Sequence, residues 1–379
     1  MKSVKNGFVD KILLISILTL VFFGVVMVYD ASVVYSLNQF GESYRFLIFQ
    51  LMWAGLGLFL MMFASRISLD FVKKISPFFY VASLVFLVLA LLPTPFSPQI
   101  YGARRWIILN PEPFPPLPFL ERLSFQPSDF AKLSYIIYIS FLLTKGNVKG
   151  IAAIRGNLLT YVSVTAIPAF LILLSPDFGT FFLFFVSSLV ALFVSGQHLA
   201  YFLMGIPILS LSSLAFILSS VYRKQRLFTF LRPESSDSLS GGYHISQILI
   251  SLGSGGLFGL GLGQSRQKYS YLPEVTADSI FAIIGEELGL IGTLLTVFIV
   301  VLIVYRGFTI SQKTTNLTYK VMSAGIASLF SIQAFMNIGS MLRIIPLTGI
   351  PLPLVSYGGS SMVFTLVGLG LLLNISRQS

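Results

Sequence analysis

The 379-residue sequence has no cysteine and only two histidines, His198 and His244. The first absence excludes thiol nucleophiles, disulfides and Cys-ligated metals. The second leaves little material for a His-based triad or a multi-His metal centre. Charge is scarce too: charged residues are 10% of the chain, against about 25% in an average soluble domain. No stretch is polar enough to form a separate soluble domain. The run G-x-x-x-x-G-K-[ST] does not occur, so no nucleotide-hydrolysing phosphate loop is present. Chemistry must therefore draw on an already activated substrate or on a gradient.

What the chain has is apolar length. Hydrophobic residues are 55% of it, and runs close to the roughly 20 residues that span a bilayer recur along nearly all of it. They centre near 12–30, 46–65, 74–93, 127–144, 157–175, 178–195, 200–220, 280–304, 321–342 and 353–375. The expectation is an all-α polytopic membrane protein, one domain over residues 1–379, with about ten transmembrane helices. The first run follows "MKSVKNGFVDK" but lacks a small-x-small cleavage site, which favours an uncleaved first helix.

If the helices alternate, one side receives nine lysines and four arginines, the other nine arginines and three lysines. The first set lies mostly in short loops and reads as cytoplasmic, with both termini. A lysine point charge suffices for anionic lipid heads, whereas the arginine fork suits bidentate grip on phosphate or carboxylate. The arginine-rich outer face thus suggests a phosphorylated ligand; pairing with acidic neighbours or phospholipid is the alternative. Two outer connections are long. Residues 94–126 are proline-rich and contain "GARRWI", with Arg104 and Arg105. Residues 221–279 hold eight glycines between 241 and 263, too many for a stable spanning helix. A short amphipathic helix is expected near 243–252, followed by backbone that dips toward the membrane, which is tolerated where it lines a protein cavity.

The stretch "KYSYLPEVTADSIFAIIGEELGLIG" (268–292) holds four of the 14 acidic residues: Glu274, Asp278, Glu286 and Glu287. Placed one turn into a helix, Asp278 shares a face with Ala282, Gly285, Gly289 and Gly292, a small-residue stripe beside which a ligand or helix can come close. There it could serve as a general base, or simply cap the helix. Glu286 and Glu287, deeper, read as structural partners between helices. In "FQPSDFAKL", Asp129 and Lys132 form an i, i+3 pair, either a salt bridge or a substrate contact. Asp177 in "SPDFGT" suits turn chemistry. The run "NIGSMLRIIPLTGIPLPLVSYGGSS" (337–361) breaks a helical pair with prolines, glycines and hydroxyls, Ser356 and Ser360 among them, and points to a site or a rigid hairpin.

Five motifs in order, "GARRWI", "FQPSDFAKL", "SPDFGT", "GSGGLFGLGLGQSRQKYSYLPE" with "IGEELGLIG", and "TGIPLPLVSYGGSS", resemble the SEDS (shape, elongation, division and sporulation) family of bacterial membrane proteins. The likeness covers essentially the full chain, and "GLGQSRQK" is closer to the family's division members than to its elongation members. The resemblance implies a peptidoglycan glycosyltransferase of the inner membrane. It would polymerise lipid II at the outer face, with inversion and with polyprenyl pyrophosphate leaving. Asp278 matches the family's proposed catalytic aspartate and would deprotonate the acceptor 4-hydroxyl. Arg104, Arg105, Lys132, Arg266, Lys268, Ser356 and Ser360 are the candidate substrate contacts; Asp129, Asp177, Glu274, Glu286 and Glu287 are supporting. A divalent cation (Mg2+ or Mn2+) is implied, with ligands unknown, and no nucleotide. A class B penicillin-binding protein acting as transpeptidase and other division or elongation membrane proteins are implied as partners; nucleic acid is not. The sequence departs from the family where Thr276 and Ala277 replace the usual His-Thr, where Asp129 replaces Glu, and where Arg343 replaces a common glycine. The alternatives are a lipid II flippase, which the same groove and arginines would serve, and a non-catalytic scaffold, which leaves the carboxylates and the basic loop unexplained.

Overall fold

The computed structural model describes residues 9–378 apart from 101, 116–121, 145–150, 198, 219–223, 225–226, 229, 232–240 and 270–271. His198 and the basic residues Lys2, Lys5, Lys145, Lys149, Arg223, Arg226 and Arg232 thus lie outside the described residues. Among those described, the chain forms eleven helices: α1 (Lys11–Phe40), α2 (Arg45–Ala64), α3 (Leu69–Leu91), α4 (Pro127–Leu143), α5 (Ile151–Leu174), α6 (Phe178–Val194), α7 (Leu199–Leu218), α8 (Gly241–Ser254), α9 (Ile280–Lys313), α10 (Leu317–Met341) and α11 (Gly359–Ser376). A two-stranded antiparallel ribbon, β1 (Ile107–Ile108) with β2 (Ser124–Phe125), closes the proline-rich connection. Ten helices coincide with the ten apolar runs, and α8 with the short amphipathic segment. By length and composition α1, α2, α3, α9, α10 and α11 can each cross a bilayer, so this is a multi-pass membrane protein.

Burial separates the bundle into a centre and a rim. In α10, 72% of the apolar window is buried, in α2 22%. α10 is the hub, touching α4, α6, α8, α9 and α11, while α2 packs on α11 and α1. Hydroxyls inside the bundle bond back to their own helix, as Ser140 Oγ does to Ile136 O (2.6 Å) and Ser323 Oγ to Tyr319 O (2.7 Å). That satisfies a polar group where no water is at hand.

Asp10 marks one end of the bundle. Its carboxylate accepts from Leu13 N (3.0 Å) and from Arg306 Nε (2.8 Å), and its own N–H donates to Ser376 Oγ (3.2 Å). The start of α1, the far end of α9 and the end of α11 therefore share one face. The long connections lie on the other, called here the loop face.

α9 is not one continuous helix. Gly289 has φ 65 and ψ −161, which breaks it into a half-helix over 280–288 and a long span after it. The glycine-rich segment after α8 fills the gap. Leu260 N and Gly261 N donate to Glu286 O (2.9 Å) and Glu287 O (3.0 Å). In the other direction, Leu290 N and Ile291 N donate to Gly256 O (3.0 Å) and Leu257 O (3.2 Å). All four backbone groups would otherwise be orphaned, each at several kcal/mol in hydrocarbon. The approach is so close that a Cβ on Gly259 (φ 81) would lie 2.1 Å from Glu287 O. Gly259→Ala is therefore expected to destabilise the protein by about 2 kcal/mol or more, read as a lowered Tm in detergent. Gly253→Ala, in α8 with nothing within 4 Å of the added atom, should leave Tm unchanged or slightly raised.

Candidate active site

α9 begins at Ile280 with Ser279 at its cap position, so Asp278 lies in the turn before the helix. This corrects the expected placement one turn inside it, and with it the shared small-residue face. A Cβ on Gly285 would meet Leu252 of α8 at 2.4 Å, and one on Gly289 would meet Gly259 N at 2.4 Å. The glycines seat α8 and its loop; they do not line an open groove. The turn is held by Glu274 (φ 49), whose carbonyl accepts from Ala277 N (3.1 Å) and Ser279 N (3.2 Å).

Half-buried Asp278 faces the irregular segment 342–358. A Cβ on Gly349 would lie 3.8 Å from its Oδ2, and Tyr357 N donates to Thr276 O at 2.8 Å. Asn337 of α10, fully buried, ties the two together: its Nδ2 donates to Asp278 O and to Ile350 O, both at 2.8 Å. On the α8 side, His244 Nε2 lies 2.9 Å from Ser279 Oγ. It brings a ring to the residue next to Asp278, although Thr276 and Ala277 stand where a histidine and threonine were looked for.

Glu286 and Glu287 face the loop after α8. Glu286 accepts from Arg266 N (3.0 Å) and Ser265 Oγ (2.5 Å), and Glu287 from Ser265 N (3.0 Å) and Lys268 Nζ (3.1 Å). Lys268 also donates to Asp30 Oδ1 of α1 at 3.0 Å. It is 5% exposed, which moves it from the substrate contacts to the framework. Burial pushes the Lys268 ammonium down, but the Asp30 hydrogen bond and the charges of Glu287 and Asp30 outweigh that and hold its pKa above the ordinary 10.5. Stability from a raised lysine pKa is complete below the unfolded value and lost only as pH climbs through the folded one. Titration of Lys268 therefore leaves stability flat between about pH 6 and 9.

The other candidates divide in the same way. Ser356 and Ser360 are buried: Ser356 Oγ accepts from Leu352 N (2.8 Å), and Ser360 Oγ from Gln126 N (3.0 Å). Asp177 caps α6 through Thr180 N (3.1 Å). Arg104 and Arg105 are half-exposed, their guanidinium planes set by backbone carbonyls: Arg104 on Ser97 O (2.6 Å), Arg105 on Ser175 O (3.1 Å) and Pro176 O. Arg266 is exposed. Arg343, at φ 56 in the left-handed region that suits a glycine, donates to Phe230 O at 3.1 Å. Asp129 and Lys132 are paired at 2.7 Å and line a small, partly open pocket with Gln333, Ser361 and Thr365.

Among the described residues no three His, Asp or Glu side chains converge as a metal cluster. There is thus no all-protein cage for a divalent cation among the described residues. Magnesium characteristically binds one or two carboxylates plus substrate phosphates, so such an ion would belong mainly to the substrate.

Residues 10–379 match the FtsW/RodA/SpoVE family of cell cycle proteins. Stage V sporulation protein E of Bacillus subtilis is 36% identical over 371 residues, 98% of this chain and 97% of that one. A protein of Coxiella burnetii named "Probable peptidoglycan glycosyltransferase FtsW" is 34% identical over 381 residues, covering 100% of this chain and 99% of its own. Two solved structures share the fold. One belongs to work on the structural coordination of polymerization and crosslinking by a peptidoglycan synthase complex (TM-score 0.76, 27% identity, 97% of this chain and 98% of that one). The other is the rod shape determining protein RodA of Thermus thermophilus (TM-score 0.69, 26% identity, 97% of both chains).

Asn337 escapes sequence reasoning because an amide in a broken apolar run carries no periodic signal. Asn337→Leu strips a donor from two carbonyls and is expected to cost about 2–5 kcal/mol, read as a fall in Tm. Asn337→Asp keeps the shape but turns an acceptor toward them. Its stability should recover as pH falls, because a protonated carboxyl can donate one of the two bonds.

Proposed function

The chain belongs to the FtsW/RodA/SpoVE family of cell cycle proteins, and from that premise we propose that it is a glycosyltransferase that polymerises lipid II at the loop face. Lipid II arrives activated by its polyprenyl pyrophosphate, which fits a chain without a phosphate loop of its own. The carrying observation is the mounting of Asp278: a half-buried carboxylate in a tight turn, its backbone pinned by Asn337 to the segment opposite. Asp278 takes the proton from the acceptor's 4-hydroxyl as that oxygen attacks the donor's anomeric carbon. Attack from the face opposite the leaving pyrophosphate inverts that carbon. Arg104, Arg105 and Arg266, half-exposed or exposed, would meet the pyrophosphate charge, as the planar fork suits.

The shared end of α1, α9 and α11 supports termini on one side, and the lysine-rich set supports that side as cytoplasmic. The site would then face outward from a bacterial inner membrane. A class B penicillin-binding protein is the proposed partner for cross-linking, in keeping with the crosslinking named for the structural relative. A flippase is the second reading, favoured by the pocket beside the buried Asp129–Lys132 pair, since ionisable pairs at membrane depth often mark pathways.

Polymerisation of labelled lipid II in detergent, with a class B partner and Mg2+ added, tests the proposal. Wild type should yield glycan chains, and Asp278→Asn should lose activity by at least about a hundredfold at an unchanged Tm. Equal polymer from both would remove Asp278 as base. No polymer from wild type, beside a working control polymerase, would favour the transporter.

A further inference from the structure

Lys268 is an ammonium between two carboxylates, Asp30 and Glu287, and either one would balance its charge. Glu287 is fully buried and bonds Lys268 Nζ at 3.1 Å. Asp30, on α1, thus brings a second carboxylate to one ammonium. Its side chain is 17% exposed, and its Oδ2, like Glu287 Oε2, is buried without a hydrogen-bond partner. Such an arrangement costs stability, so Asp30 is not there to neutralise charge.

What Asp30 does have is reach across the fold. It bonds Lys268 across 238 residues of sequence, and a Cβ on Gly263 would lie 3.8 Å from its Oδ1. Both contacts are to the loop after α8, which carries the half-helix 280–288 through Glu286 and Glu287. Gly24, on the same helix, touches the other irregular segment. A Cβ there would meet Leu354 O at 2.3 Å and Val355 Cα at 2.7 Å. Gly24 and Asp30 are about 9 Å apart along the axis. α1 thus touches both walls: through Asp30 the loop that carries the half-helix behind Asp278, and through Gly24 the 342–358 segment that faces it.

We propose that Asp30 is a positioning residue and α1 a spacer that sets the separation of these two walls. Its effect on catalysis rests on the polymerase reading above; its effect on geometry does not. Removing Asp30 leaves Lys268 its bond to Glu287 at 3.1 Å, so the ammonium keeps a carboxylate partner. The consequence is instead a loop that shifts against the 342–358 segment.

The cysteine-free sequence makes this measurable. Nitroxides would be placed at the exposed positions Leu262 and Ile344 by cysteine substitution, and their distance distribution recorded by pulsed electron spin resonance without substrate. Wild type should give one narrow distribution. Asp30→Leu should broaden or shift it by a few ångström at matched Tm, with Asp30→Asn, which keeps an acceptor for Lys268, in between. In polymerisation, Asp30→Leu should lower kcat on the order of tenfold to a hundredfold, the scale expected of a misplacement near 1 Å, with KM within about twofold. If Asp30→Leu does not fold, Asp30→Asn decides. An unchanged distribution overturns the spacer whatever happens to activity, and a changed distribution with wild-type kcat overturns the positioning role. If wild type makes no polymer, the enzyme reading falls, and the distance measurement still decides the spacer.

Discussion

A helix broken inside a bilayer must have its backbone hydrogen bonds remade, and the rest of this site depends on how that is done. The break at Gly289 leaves carbonyls at 286 and 287 and amides at 290 and 291 without helical partners, and residues 256–261 supply all four. Once that exchange is made, the loop cannot slide without exposing polar backbone to hydrocarbon. The side chains of Glu286 and Glu287 then extend the same seam to Ser265, Arg266 and Lys268. The short half-helix that results is a rigid platform, and Asp278 sits in the turn at its head.

A second irregular segment, 342–358, is held by different means. Asn337 reaches it from the buried hub α10, and Tyr357 reaches back to Thr276. Positions set by buried hydrogen bonds between rigid elements are better defined than positions on free loops. The proton transfer proposed for Asp278 needs such definition, since a base must come within about 2.6–3.2 Å of the hydroxyl it serves. Asp278 is thus held through its backbone by one wall and carried by the other, while its carboxylate is left half-buried between them.

Much of this was legible in the sequence, for physical reasons. Ten apolar runs gave ten helices because bilayer thickness sets a length that composition reveals. Eight glycines ruled out a spanning helix at 241–263, and the segment does enter the protein. The break at Gly289 was not legible, since a glycine within an apolar run reads as a helix-packing residue. Nor was the start of α9 at Ile280, and an earlier start would put Asp278 on a helical face it does not occupy. The Asp30–Lys268 and Asn337–Asp278 contacts were beyond reach too, because periodicity reports which face a residue shares and not which element comes to meet it.

The partition of basic residues gains its meaning only from the fold. Counted along the chain, the loop face receives nine arginines and three lysines. Two of those lysines, Lys132 and Lys268, turn inward into ion pairs at 2.7 Å and 3.0–3.1 Å. There a compact ammonium can be shared between carboxylates. Arg104, Arg105 and Arg266 keep exposure, the first two with their planes set by carbonyls before any ligand arrives. These two lysines thus serve the framework, while the three arginines stay open to solvent. A guanidinium left open in this way keeps the planar fork that bidentate contact with an anion requires, which a buried, paired ammonium does not.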